Sequence, residues 1–351
     1  MFLELFPKPD EITRHYRTLS DHLQAHLNRT SPNSGGLAYL ASPANYALNN
    51  AASKKAQLLV IGGSRTESTI FDPTTNSLTN HRSRPTPTLH SATEVLNLAK
   101  EMGKETDLLL LNFTFPIRPE IRGQKLDGRI LRGSKQHRLT GLHGALLGEH
   151  LESNLWPDKT ISVANDTTIL LSAFRNRNIE IAGILGTGFN FGLLWKRQFV
   201  NLEIGNFQDF EPSRAVLELD RKSPNPNQHL WEKSISGKYL DDHFNFWAQE
   251  YDVSDRVEGA HELDELTTES GQALAEAVYR QSASKTAATV AALLATLQAR
   301  SLVLEGSVFW KAKGYQSYTR EYLNLLGYPE VTILKSRHPF HNLASLLNNS
   351  L

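Results

Sequence analysis

The chain has 351 residues, of which 40% are hydrophobic, enough to bury a substantial core and to build two lobes. Lys+Arg and Asp+Glu both number 37, so the formal net charge is zero and no broad attraction to nucleic acid or an anionic membrane is expected. Cysteine is absent, which excludes disulfides and thiolate metal sites and fits a reducing compartment.

The start, MFLELFPKPD, is apolar but has no basic segment and no small-residue cleavage site, and no run reaches the ~18 apolar residues of a membrane span. A soluble cytoplasmic protein is expected. Residues 10–28 read as an amphipathic helix capped by Asp10, with Ile12, Tyr16, Leu19, Leu23 and Leu27 at helical spacing. Residues 30–55 read as a polar connection. The run QLLVIGG at 57–63 is a strand ending in Gly62, Gly63, Ser64 and Arg65, with a return strand at 68–71. Such a turn can wrap a phosphate with its backbone N–H groups.

Residues 82–90 form a proline-rich loop, and the capping box Ser91-Ala92-Thr93-Glu94 opens a helix that stops at Gly103. A buried strand at 107–113 delivers Thr114 and Pro116. Residues 118–141 are basic and glycine-containing, an anion patch or a solvated loop by composition, and a helix follows at about 142–152.

The stretch 161–205 carries the densest chemistry. Its apolar runs at 161–163, 179–185 and 191–195 end at polar or glycine residues, and strand ends are where α/β proteins place function. Asp166 either caps the helix at 167–174 or serves as a carboxylate base. Gly186-Thr187-Gly188 is either a hairpin turn or a phosphate cradle whose glycines permit positive φ and close backbone approach. Asn190 and Glu203 add an amide and a carboxylate nearby. Together these groups point to phosphoryl transfer onto a sugar hydroxyl.

Beyond Glu203, residues 209–228 read as loop, and Trp231-Glu232-Lys233 opens a helix lasting to about 249, with Glu232 as a solvated helix-start glutamate on sequence grounds. The alanine-rich helix at 272–299 can pack closely and carries no assigned chemistry. A strand at 301–304 runs into Glu305-Gly306-Ser307, a plain turn or a place where backbone approaches an adenosine. A helix at 315–326, a strand at 330–334 and a helix at 340–347 complete the chain.

Seven segments, LLLLNFTFP, GSKQ, VANDT, ILGTGFN, NLEIGNF, LWEKSISGKYL and LEGSVF, resemble in order and spacing the eukaryotic-type hexokinase and glucokinase family. The resemblance spans about 57–347. It implies an α/β, two-lobed actin-like ATPase (ribonuclease H-like) fold, with mixed sheets flanked by helices and an interlobe cleft. Residues 1–44 would form an N-terminal helix and linker on the large lobe, 45–164 with 338–351 the small lobe, and 165–337 the large lobe.

The implied activity is ATP-dependent phosphorylation of the terminal hydroxyl of glucose or a related hexose, with ATP and Mg²⁺ as cofactors and Asp166 as general base. Lys135 would meet the charge of the moving phosphoryl group. Thr114, Ser134, Lys135, Asn165, Asp166, Asn190, Glu203 and Glu232 would hold the hexose. Gly62, Gly63, Ser64 and Arg65, Gly186, Thr187 and Gly188, and Gly306 with Ser307 would hold the nucleotide. The family usually has aspartate where this chain has Val60, asparagine at Arg65, serine at Thr114 and aspartate at Glu305. The first departure removes a group associated with holding Mg²⁺ through water, and leaves open a sugar-binding regulator without turnover. An actin-like structural ATPase is a further alternative, disfavoured by the sugar-loop and Glu203 matches. The missing cysteines argue against the other bacterial glucokinase-type family, whose members usually carry a cysteine-rich zinc motif.

Overall fold

In the computed structural model the described residues are 2–30, 34–44, 46, 48, 53–103, 106–131, 133 and 137–348. Ser134 and Lys135, expected to hold the sugar, lie outside them. The chain begins with α1 (Pro9–Asn28), β1 (Leu40–Pro43), β2 (Ala56–Ile61), β3 (Arg65–Asp72), β4 (Ser77–Pro85) and α2 (Ala92–Met102). Then come β5 (Leu108–Phe113), β6 (Ile117–Arg122), β7 (Lys125–Ile130), α3 (Leu147–Leu155), β8 (Thr160–Ala164) and α4 (Asp166–Phe174). The central stretch continues with β9 (Ile181–Leu185), β10 (Phe189–Trp195) and β11 (Gln198–Asn201), then α5 (Arg214–Lys222), α6 (Leu230–Lys233), α7 (Leu240–Glu250) and α8 (Glu269–Leu297). It ends with β12 (Ser301–Glu305), α9 (Ser307–Lys311), α10 (Tyr315–Leu325), β13 (Thr332–Lys335) and α11 (Pro339–Ala344).

These elements sort into two compact units. The first is Met1–Tyr39, Glu180–Phe191 and Leu202–Lys335; the second is Leu40–Ile179, Gly192–Asn201 and Ser336–Leu351. The chain first leaves the second unit after Ile179, later than the expected division at 164/165. The reason is local packing: α4 sits against α11, and Ser172 of α4 hydrogen-bonds Tyr46 at 2.6 Å within the second unit.

The second unit is built on a five-stranded sheet in the order β4-β3-β2-β5-β8. The β2–β3–β4 meander is antiparallel, whereas β2, β5 and β8 run parallel. Near-continuous apolar runs are what a parallel strand covered on both faces requires, and Leu59, Ile61, Leu109, Leu111, Phe113, Ile161 and Val163 form one buried cluster with α2 and α3. The capping box at Ser91 is present as expected. The basic segment after 117 is a β-hairpin, β6–β7, rather than loop. Its Asp127 is fully buried and accepts N–H groups of Gly128, Gly148 and Glu149 at 2.7–3.0 Å and Arg122 Nε at 2.9 Å, tying the hairpin to the start of α3.

In the first unit β9, β12 and β13 are parallel, and β9 neighbours β10. The long α8 runs among α1, α7 and α10. Its buried alanines let those helices approach, and the Tyr315 hydroxyl is held by Ser282 at 2.6 Å and Thr286 at 2.9 Å. Two further expectations change here. Residues 209–228 contain α5, capped by Ser213, and the helix expected over 231–249 is broken into α6 and α7. The break falls at Gly237, whose N–H leaves the helical pattern to donate to Gly186 O at 2.8 Å.

Candidate functional site

The parallel strands β2, β5 and β8 end side by side, and each delivers one expected group. After β2 comes the turn Gly62–Arg65, in which Gly62 N–H donates to Arg65 O at 3.0 Å. After β5 comes Thr114, whose N–H donates to Ile61 O at 3.2 Å and so fixes it beside that turn. After β8 come Asn165 and Asp166. Adjacent carboxyl ends of parallel strands are the usual place for a ligand in an open α/β sheet.

Asn165, not Asp166, caps α4. Its Oδ1 accepts Thr168 N–H at 3.0 Å and its Nδ2 donates to Thr167 Oγ1 at 3.1 Å, and it is buried. Asp166 is the first helical residue, half-buried, with Oδ1 accepting Thr167 N–H at 2.8 Å. A carboxylate at this position is favoured by the helix dipole. Arg65 is exposed and donates to Ser83 Oγ at 2.7 Å, along the β3–β4 ladder. His137, which the sequence reading passed over, is buried and its Nε2 lies 3.3 Å from Gly63 O. Because its Nδ1 accepts Leu89 N–H at 3.0 Å, Nε2 carries the proton and donates to Gly63. The only signal for this in the sequence was position, directly after the expected sugar loop GSKQ.

In the first unit Asn190, Glu203 and Glu232 come together through backbone geometry. Asn190 Oδ1 accepts Phe191 N–H at 2.8 Å and Ile204 N–H at 3.2 Å, which anchors the turn carrying Glu203. Glu203 has a left-handed backbone, φ 44°, at the entry to that turn. Gly205 then lies so close to α6 that a Cβ there would sit 2.9 Å from Glu232 Cβ. Glu232 is buried, unlike the solvated glutamate read from sequence alone, and His229 Nδ1 is 3.6 Å from its Oε2. The next residue, Lys233, is also buried. Its ammonium donates to Asp220 Oδ1 at 2.5 Å, Ser223 Oγ at 2.8 Å and Asn225 O at 2.9 Å. All three donors of Lys233 are thus used, as a buried cation requires.

The glycines of this unit also converge. Gly186 N–H donates to Gly188 O at 3.0 Å, and Gly186 O receives Gly237 N–H. Gly306 has φ 124°, and a Cβ there would lie 2.1 Å from Leu185 O. Positive φ, expected for the Gly186-Thr187-Gly188 turn, is found instead at Gly306; Gly62, Gly63, Gly186 and Gly188 have none. Thr187 and Ser307 are exposed at the surface of these turns. Gly237 was not singled out by sequence, although a glycine directly after Ile235-Ser236 in a helical pattern is a break signal.

Behind Trp231 lies a buried polar group. Trp231 Nε1 donates to Thr289 Oγ1 at 3.0 Å, and its ring meets those of His15 and Phe210 edge-on. Burial, reinforced by the charges of Lys285 and Arg14, pushes the His15 imidazole down to about 3. Burial and Lys285 likewise push His243 down to about 4. Both rings are neutral supports of the core.

No protein-family model matches the chain. Among solved structures, 99% of the chain superposes on 96% of a hexokinase from Schistosoma mansoni complexed with glucose, with a TM-score of 0.73 and 16% identity. A ROK-family glucokinase from Streptomyces griseus in complex with glucose and AMPPNP covers 84% of the chain, with 98% of its own length, a TM-score of 0.61 and 15% identity. The fold is the α/β, actin-like ATPase fold of these sugar kinases. In sequence, the chain is 28% identical over 162 residues to the hexokinase-like 1 protein of Arabidopsis thaliana, covering 40% of this chain and 32% of that one. It is 31% identical over 153 residues to hexokinase-1 of Rattus norvegicus, covering 36% of this chain and 16% of the relative. In sequence the chain is similar to these hexokinases, and it matches about a third or less of their length.

Proposed function

We propose that the protein transfers the γ-phosphoryl group of ATP to the terminal hydroxyl of glucose or a related hexose. One observation carries the reading: β2, β5 and β8 end in register and set the Gly62–Arg65 turn, Thr114 and Asp166 in one row. A half-buried carboxylate at a helix start, in the same row of strand ends as a turn with free room at Gly63, suits a base facing a phosphate.

Asp166 would accept the proton of the attacking hydroxyl, a contribution of typically ~10² to 10⁴ in rate. Asn190, Glu203 and Glu232 would hold the remaining hydroxyls with Asn165, Thr114, Ser134 and Lys135. Ionised carboxylates only accept, which suits a polyol offering many donors. Gly186, Thr187, Gly188, Gly306 and Ser307 would hold the nucleotide, and Gly62, Gly63, Ser64 and Arg65 its terminal phosphate. Magnesium, when bound, would neutralise phosphate charge. Among the described residues no three His, Cys, Asp or Glu side chains gather around one point, so the ion would arrive on the phosphates and be held by few protein groups. Among the described residues no helix is long and apolar enough to cross a membrane, and we place the activity in the cytoplasm.

A second reading, a sugar-binding regulator without turnover, is favoured by one residue: Val60 offers no side-chain oxygen near the end of β2. Coupled ADP-release assays at fixed ATP, with glucose, mannose, fructose and glucosamine in turn, separate the readings. Hexose-dependent ADP supports the kinase. Hexose binding without ADP leaves the regulator, and ADP release indifferent to sugar leaves a structural ATPase.

A further inference from the structure

Where the hexokinase resemblance calls for a carboxylate, this chain has Val60, and the strand beside it carries an unexplained polar group. In the parallel ladder Val60 pairs with Asn112 of β5, and Asn112 pairs with Ala164 of β8. Residues in register on parallel strands point to the same face. Val60 and Asn112 are the two positions of β2 and β5 that are not buried, each one residue before its strand ends. Two residues beyond Val60 is Gly62, and two beyond Ala164 is Asp166. Asn112 therefore sits in the middle of the row that carries the phosphate turn and the proposed base.

The Asn112 Oδ1 is closed to bulk solvent and finds no donor among the described residues. Such an orphaned acceptor is destabilising unless a partner comes from outside the chain. Its neighbours in the row, Val60 and Ala164, have no side-chain donor to give. Water bound to a cation is a strong donor, and Mg²⁺ keeps several waters while meeting only one or two carboxylates plus phosphates.

We propose that Asn112 holds the hydration shell of the nucleotide-bound magnesium ion, taking the place of a carboxylate at position 60. The proposal rests on the phosphoryl-transfer reading of the same strand ends. The amide oxygen accepts from metal-bound water but adds no charge, so it holds the ion less tightly than an aspartate would.

The test uses the full chain with ADP and Mn²⁺, followed by electron paramagnetic resonance of free and bound Mn²⁺. Asn112→Leu should weaken Mn²⁺ in the ADP complex about tenfold, the low end of what loss of an outer-sphere ligand costs. ADP affinity in the presence of EDTA should stay unchanged. Val60→Asp in the Asn112→Leu background should restore the lost Mn²⁺ affinity. Unchanged Mn²⁺ affinity in Asn112→Leu overturns the inference, as does an equal loss of metal-free ADP binding, which would make Asn112 a packing residue. An unaltered protein that binds no Mn²⁺–ADP at all overturns the phosphoryl-transfer reading itself, and this inference with it.

Discussion

Gly306→Ala is the most demanding single perturbation of the proposed nucleotide turn. At φ 124° and ψ 150° the residue occupies a region that is essentially glycine-only, a strain of about 1–3 kcal/mol for any other residue. The new Cβ would lie 2.1 Å from Leu185 O, 2.3 Å from Leu185 C and 2.7 Å from Gly186 N. All three are main-chain atoms, so no rotamer change relieves the overlap. Either the turn or the β9–β12 ladder, in which Glu305 pairs with Ile184, has to move. Strain and displacement together should cost at least ~3 kcal/mol, which at roughly 2–4 °C per kcal/mol lowers Tm by roughly 6–12 °C. Calorimetry gives the Tm and fluorescence titration the ADP affinity, which should fall as Ser307 shifts. Gly63→Ala is the control for Tm alone, since a Cβ there meets nothing within 4 Å. A Gly306→Ala protein with the Tm and ADP affinity of the unaltered chain would refute the reasoning.

Three more outcomes are expected. Lys233→Met leaves Asp220 buried without its cation and should cost about 3–5 kcal/mol by urea denaturation, whereas Asp220→Leu with Lys233→Met should recover most of it. The lowered His15 value makes the folded state prefer neutral imidazole. Its contribution is full above the unfolded value near 6.5 and is lost as pH falls from there towards 3. His15→Phe, which keeps an aromatic ring against Trp231, should therefore lose less Tm than the unaltered chain over that interval. Asp241, raised to about 6 by burial and Asp242, acts in the opposite sense in both proteins and cancels in the comparison. Asn190→Ala removes the acceptor that anchors Ile204 N–H, so hexose KM should rise at least tenfold while ADP affinity is kept; parallel losses would contradict a sugar-side role.

The apolar strands were legible because β2, β5 and β8 are covered on both faces and so read as unbroken hydrophobic runs. The β6–β7 hairpin was not, since its arginines and glycine mask an alternation that places Ile117, Leu126 and Ile130 inside. Helix α5 hid between flanking prolines at 212 and 224 and behind the exposed charges of Arg214, Arg221 and Lys222. Asp166 and Asn165 exchanged one role: the cap needs an acceptor three residues before Thr168, and only Asn165 is so placed. Glu232 looked solvated because the turn at Gly205 packs against it, a tertiary contact that no local window contains. Asn112 and His137 were invisible for the same reason, since their meaning lies in strand register and in a carbonyl 74 residues away.

Asp166→Ala is the most direct trial of the general-base role. Hexose-dependent ADP formation should drop by ~10² to 10⁴ in kcat, with hexose and ADP affinities by calorimetry close to those of the unaltered chain. A variant that turns over hexose at the original rate would remove Asp166 from the chemistry and, with it, the mechanism set out for these strand ends.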